Sequence, residues 1–170
     1  MKLLTPGQAR ELDRVSMGDM GISTEKLMGN AGKQVAKEAM EMVSDIHDSS
    51  ILILCGKGNN GGDGFAAATV LFENNYNVRI HSLCKNNVIK GDSLNFYLKC
   101  ESLGIFTTFG ELLADFKIPD LIIDGLLGTG FKGALRKSMT PWVEWINNSK
   151  SLVLSNDISS GINGNSGREN

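Results

Sequence analysis

Glycines in this chain of 170 residues are concentrated in three short segments, and this clustering constrains the fold more than any other feature of the sequence. An average protein of this length would contain about 12 glycines, whereas this one has 20. Five lie within residues 56–64, four within 125–133 and three within 161–167. Each segment follows a short apolar run: Ile51–Cys55, Leu121–Asp124 and Leu152–Asn156. Such runs are typical of strands buried on both faces of a parallel sheet, so the glycines mark the loops at the strand ends.

Helical patterns separate these strands. Apolar side chains recur at helical spacing in residues 64–74, 92–103 and 140–148, and weaker strand patterns occur at 78–83 and 105–109. Two further helices precede the sheet: one begins at the capping box Thr5–Gln8, and the other runs from Ser23 to about Val43. The alternation predicts an α/β fold, a doubly wound and mostly parallel sheet with helices on both faces and two N-terminal helices.

Composition and charge exclude several classes of protein. Apolar residues make up 41% of the chain and charged residues 21%, so it is not a disordered or fibrous protein. The net charge is −2, which predicts neither a nucleic-acid partner nor an anionic membrane surface. No apolar run approaches the ~20 residues of a membrane span. The three cysteines, Cys55, Cys84 and Cys100, lack metal-ligand spacing and indicate free thiols in a reducing compartment, so we expect a cytoplasmic protein.

The glycine loops are expected to build one site. All strands of a parallel sheet point the same way, so loops at their carboxyl ends open onto one edge, where α/β proteins bind ligands. The first loop passes straight into a helix, and close-approaching amides at a helix N-terminus suit a phosphate. It is not a Walker A loop, because no Lys-Ser or Lys-Thr follows the last glycine.

Polar side chains in the same loops admit more than one interpretation. An Asp carboxylate, the Asn60 amide oxygen and the Ser160 hydroxyl are hard oxygen donors that could bind an alkali or alkaline-earth cation. The simpler alternatives are that Asp63 only caps a helix and Asp124 only caps a turn. A dehydrogenase would carry an acidic residue at the end of its second strand to hold a ribose. Here that strand ends in residues 82–85, Ser-Leu-Cys-Lys, which include no acidic residue, so the pattern does not favour a dehydrogenase.

Four segments taken together resemble the NAD(P)H-hydrate epimerase family, also called the YjeF N-terminal domain. They are Met28–Gly32, Cys55–Gly64, Asp124–Gly133 and Asp157–Gly161. The resemblance covers residues 1–170 and implies a Rossmann-like domain that interconverts the R and S epimers of hydrated NADH and NADPH. Because the family extends further and is fused to a dehydratase in many bacteria, we expect a domain truncated at its C-terminal end. It would then be a fragment of a bifunctional epimerase/dehydratase.

The resemblance also implies roles for individual residues. A potassium ion would be held by Asn60, Asp124 and Ser160. For catalysis we expect Asp157 to give and take the proton and Lys132 to balance negative charge. The expected partners are the small-molecule hydrate, a second copy of the chain in a homo-oligomer, and a fused or separate dehydratase. The hydrated dinucleotide would contact Asn59, Asn60, Gly61, Gly62, Asp63, Gly128, Thr129, Gly130, Phe131, Lys132, Gly133, Ala134 and Asp157.

Two other functions stay open at the level of sequence. Some domains of this fold serve as non-catalytic nucleotide- or RNA-binding scaffold modules, and comparing binding of the hydrate with binding of RNA would separate these from an epimerase. The near-neutral charge argues against RNA. A nicotinamide-dependent dehydrogenase would instead show hydride exchange with NADH.

Overall fold

A computed structural model describes residues 4–111, 116–131 and 133–169. Five strands form one sheet in the order β3-β2-β1-β4-β5, and every neighbouring pair is parallel. This confirms the predicted doubly wound α/β fold and makes the sheet fully parallel. The strands are β1 (Ser50–Cys55), β2 (Asn77–Ser82), β3 (Phe106–Phe109), β4 (Leu121–Gly125) and β5 (Leu152–Ser155). The helices are α1 (Pro6–Gly18), α2 (Thr24–Met42), α3 (Asn59–Glu73), α4 (Asp92–Ser102) and α5 (Thr140–Asn148).

Helices cover both faces of the sheet because the central strands are apolar on both sides. In β1, Ile51 and Ile53 face the cluster formed with α2, α3 and α4, while Leu52 and Leu54 face the cluster that contains Trp142 of α5. All four β1 side chains are fully buried. This explains why the strand is a continuous apolar run rather than an alternating one.

Small residues allow α2 to lie directly on α3. The buried positions of α2 include Gly32, Ala36 and Ala39. A Cβ at Gly32 would overlap the backbone of Ala66 and Ala67 in α3. Helix α2 therefore packs mainly against another helix, and this contact fixes α3 over the sheet.

The start of α3 differs from the sequence expectation. The apolar pattern indicated a helix from about residue 64, but α3 begins at Asn59 and takes in the second half of the glycine loop. Asp63 is consequently the fifth residue of the helix, and the alternative in which it is an N-cap is wrong. Helix propensity alone would place these glycines in a loop. Close packing overrides that preference here, because only a residue without a Cβ fits at position 61, where a Cβ would overlap the carbonyl oxygen of Gly56.

The remaining expectations about single residues concern the core. Cys55 and Cys100 are buried, Cys84 is half-buried, and all three are free thiols. His81 is buried beside Trp142, and its ring nitrogens contact the Thr108 hydroxyl and the Gly110 carbonyl. Among the residues that the structure describes, no helix has both the length and the apolar character needed to cross a bilayer.

Candidate active site

A cavity of about 910 Å³ opens at the carboxyl edge of the sheet. Loops that follow all five strands contribute to its wall, and α1 contributes Ala9, Arg10 and Asp13. The loops that the sequence predicts at this edge therefore line one cavity. Its volume lies within the ~300–1,000 Å³ of small-molecule sites.

The N-terminus of α3 forms part of this wall. Gly58 is the N-cap and has no side chain that could accept a hydrogen bond from the first-turn amides. Uncapped amides at a helix N-terminus carry partial positive charge and suit an anion. Gly56 allows the close approach of the two loops here, because a Cβ at this position would overlap the carbonyl oxygen of Leu126. The glycines therefore bring the first and second loops into backbone contact beside an anion-binding helix end.

Asn60 and Asn156 tie the three loops together. The Asn60 Nδ2 donates to the carbonyl oxygen of Leu127 at 2.8 Å, and the Asn156 Nδ2 donates to Asn60 Oδ1 at 2.7 Å. Asn156 also donates to the Asn60 carbonyl at 3.1 Å. These bonds join segments 67 and 96 residues apart in the sequence, so they fix the loop arrangement only in the folded chain.

Asp124 lies at the end of β4 as a buried carboxyl group with several donors around it. Ser160 donates to it from both its backbone N–H, at 2.8 Å to Oδ2, and its hydroxyl, at 2.7 Å to Oδ1. The Leu126 N–H donates to Oδ1 at 3.2 Å. Burial raises the pKa of Asp124, while the hydrogen bonds from Ser160 and Leu126 act in the opposite direction. The turn-capping role is thus real, and Asp124 also joins the second loop to the third.

The three residues expected to hold potassium lie around one loop segment. Ser160 bonds to Asp124 and accepts from the Leu127 N–H at 3.0 Å, while Asn60 bonds to the Leu127 carbonyl. Within the described part of the chain, no group of three or more His, Cys, Asp or Glu side chains could hold a metal ion. One carboxyl, one amide and one hydroxyl form a donor set of hard oxygens with a single negative charge. The chemistry of this set fits a monovalent cation, whose charge would offset the buried carboxylate.

Asp157 has a left-handed backbone with a φ of 68°, a conformation that Asp adopts more readily than most residues. Its side chain reaches the second loop, where Oδ2 accepts from the Thr129 N–H at 2.6 Å. A Cβ at Gly128 would lie 2.6 Å from the same oxygen. Asp157 therefore holds the second loop while lining the cavity.

Asp63 is the most strongly perturbed carboxyl group in the cavity wall. Burial raises the pKa of Asp63 to about 7, and the charges of Asp157 and Asp13 add to this effect. A hydrogen bond from the Asn156 side chain opposes it. A carboxyl group that titrates near neutral pH can both give and take a proton at working pH.

The predicted dinucleotide contacts fall into three groups. Gly61 and Gly62 are buried behind the wall, and Gly133 and Ala134 are exposed outside it. Lys132 lies outside the described residues. The others line the cavity: Asn59, Asn60, Asp63, Gly128, Thr129, Gly130, Phe131 and Asp157.

Sequence reasoning missed several residues of the wall. Asn156 adjoins Asp157 in a loop already singled out, and Lys57 stands inside the first glycine loop, so both had a positional signal. Arg136 and Asp13 had no such positional signal in the sequence. The loop after β4 and helix α1 bring them to the cavity only in the folded protein.

Comparison with known proteins identifies the family. Residues 24–170 match the family described as YjeF-related protein N-terminus. An NAD(P)H-hydrate epimerase of Elusimicrobium minutum is 31% identical over 99% of this chain and 79% of its own length. The NAD(P)H-hydrate epimerase of Rhodopirellula baltica is 36% identical over 96% of this chain and 67% of its own length.

Longer proteins and a solved structure match as well. A bifunctional NAD(P)H-hydrate repair enzyme Nnr of Thermofilum pendens is 32% identical over 99% of this chain, which spans 33% of that enzyme. The crystal structure of the yeast protein YNL200c superimposes with a TM-score of 0.84 at 20% identity, over 95% of this chain and 72% of the yeast chain. The yeast structure supports the fold, and the sequence matches support the family. The chain belongs to the family of YjeF-related protein N-termini.

Proposed function

We propose that this protein is an NAD(P)H-hydrate epimerase, as its relatives are named. The observation that carries the proposal is a single cavity that holds both the uncapped N-terminus of α3 and two carboxyl groups, Asp63 and Asp157. The helix end suits the pyrophosphate of a dinucleotide. The carboxyl groups suit proton transfer at the damaged ring.

Epimerisation of the hydrate needs the hydroxyl group at C6 of the nicotinamide ring to leave and return. When the C6–O bond breaks, a carboxylic acid donates its proton to the departing hydroxide and water is released. The ring nitrogen then shares its electron pair with C6 as an iminium cation. Water adds to the other face of C6, and its proton passes to a second carboxylate. That proton then returns through water to the carboxyl group that donated the first one, so the atoms and charges balance over the cycle.

Asp63 and Asp157 supply the two proton positions of this cycle. Asp63 is the acid, because its pKa of about 7 leaves a large fraction protonated near neutral pH. Asp157 provides the carboxylate that receives the proton, and its negative charge also stabilises the iminium cation. Lys132, which lies outside the described residues, is proposed to balance the phosphate charge.

A potassium ion is proposed at Asn60, Asp124 and Ser160. When bound, it supplies a positive charge beside the buried Asp124 and stabilises the contact between the loops. The protein's own part is to hold these donors around Leu127 through the hydrogen bonds described above.

The proposed partners follow from the bifunctional relatives. Several of them are named as repair enzymes of which this chain spans about one third. We propose that a dehydratase, fused or separate, consumes one epimer produced here. A homo-oligomer is also proposed, as is a cytoplasmic location.

Chiral separation of hydrated NADH and hydrated NADPH over time tests the function. We expect the protein to speed the approach of pure R or pure S hydrate to the equilibrium mixture. The variant Asp63→Asn/Asp157→Asn is the control, because it keeps the cavity shape and removes both proton positions. Equal rates with and without folded wild-type protein would contradict the proposal.

A further inference from the structure

The part of the cavity near the ends of β2 and β3 has no role in the chemistry proposed above. Cys84 follows β2 there, and Gly110 and Glu111 follow β3. The reacting carboxyl groups lie elsewhere in the wall, on α3 and after β5. If the pyrophosphate of a dinucleotide lies at the N-terminus of α3, its adenosine half extends toward the second strand, as in other dinucleotide-binding folds.

Two cationic side chains, Lys57 and Arg136, line the same cavity as Cys84, and both are exposed. Burial raises the pKa of the Cys84 thiol, and the charges of Lys57 and Arg136 counteract that effect, which places both near the sulfur. Neither forms an ion pair with a described residue. Two cations separated by 79 positions in the sequence therefore face one region with their donors available.

The second strand ends without the group that usually selects an unphosphorylated ribose. A carboxylate at the end of the second strand accepts from the ribose hydroxyls in proteins that bind NAD, whereas a nearby Arg accommodates the 2′-phosphate of NADP. β2 ends at Ser82, whose hydroxyl is already bonded to the Cys84 backbone. Glu111 is the single acidic side chain that the described wall offers at this end.

We infer that Lys57 and Arg136 form a subsite for a phosphate monoester, the 2′-phosphate on the adenosine ribose of hydrated NADPH. The inference rests on the proposed function and deepens it, because it makes the phosphorylated dinucleotide the preferred substrate. Asp13, Asp63 and Asp157 lie close enough together for their charges to interact, at the end where the ring becomes cationic. A third cation, Arg10 of α1, also lines the cavity and is not part of the subsite.

Binding of two adenosine fragments tests the subsite without requiring turnover. The probes are adenosine 5′-monophosphate and adenosine 2′,5′-bisphosphate, measured by calorimetry with the wild type, Lys57→Ala/Arg136→Gln and Lys137→Ala. Lys137 is the matched control, because it adjoins Arg136 and carries the same charge but does not line this cavity. We expect the wild type and the control to bind the bisphosphate about tenfold more tightly or better, since charge-assisted bonds to phosphate are strong. In the double variant the preference should shrink to within about threefold.

Three results would overturn the inference: no preference in the wild type, an unchanged preference in the double variant, or an equal loss of affinity for both probes. The last would mean that the cations serve the pyrophosphate instead. The ratio of kcat/KM for hydrated NADPH over hydrated NADH should follow the probe preference. If the probes show the expected preference but neither hydrate is epimerised, the proposed function fails while the phosphate subsite stands.

Discussion

Replacing Asp63 by Asn should stabilise the protein at neutral and alkaline pH while abolishing its proton transfer. Asp63 is partly buried in the cavity wall, where burial raises its pKa to about 7. An ordinary aspartate has a pKa of about 3.9. Between these two values the folded protein holds a proton that the unfolded chain has lost, so the free energy of unfolding falls as pH rises.

The magnitude follows from the two pKa values. A difference of about three pH units at about 1.36 kcal/mol each gives about 4 kcal/mol as the full cost of ionising Asp63 in the folded state. Water that reaches the open cavity reduces this cost, so we expect about 2–4 kcal/mol. The stabilising effect of the protonated side chain is complete below about pH 3.9 and is lost as pH rises through about 7. An amide at this position does not ionise and carries no such dependence, so Asp63→Asn should be more stable than wild type at pH 8 and similar to it at pH 4.

Urea unfolding at several pH values between 4 and 8 measures this difference. Asp13→Asn is the matched control, since Asp13 is an exposed carboxylate of the same cavity wall. It removes one negative charge without removing the buried group. The reasoning would be refuted if Asp63→Asn were no more stable than wild type at pH 8, or if the difference were the same at pH 4 and pH 8. Epimerisation should be lost in this variant despite its higher stability, and the wild-type kcat/KM should decline above about pH 7.

Three further changes test the rest of the site. Asp157→Asn should lower turnover about 100-fold or more. Ligand affinity should stay within a few-fold, because Asn keeps an acceptor for the Thr129 N–H. A fall in affinity with turnover preserved at saturation would indicate a binding role instead. Wild-type protein should melt at a higher temperature in potassium than in tetraethylammonium. The difference should equal about 2.7 kcal/mol when potassium is in hundredfold excess over its Kd, and Asp124→Asn should remove it. Identical wild-type melting temperatures in the two salts would exclude the cation. Gly61→Ala should destabilise the fold by about 1–3 kcal/mol, because overlap with the Gly56 backbone exceeds the ~1 kcal/mol gain in helix propensity. Gly58→Ala meets open space and should cost less in urea unfolding, roughly 0.5–1 kcal/mol, the ordinary difference between Gly and Ala at an N-cap.

Much of the fold was predictable from local patterns. The strand order along the chain and four of the five helix positions follow from apolar periodicity and from signals such as the capping box at Thr5. The location of the site was also predictable, because parallel strands place all their carboxyl ends on one edge. Glycine-rich loops after three strands were enough to place the site there.

The tertiary structure decided what that edge can do chemically. The start of α3 at Asn59 depends on the close approach of Gly61 to Gly56, which glycine propensity cannot reveal. The raised pKa of Asp63 depends on burial and on neighbours from α1 and the last loop. Lys57 and Arg136 line the same cavity as Cys84 only after the sheet has formed. A sequence pattern records residue types and local spacing, whereas desolvation and the grouping of charges depend on contacts between segments far apart in the chain.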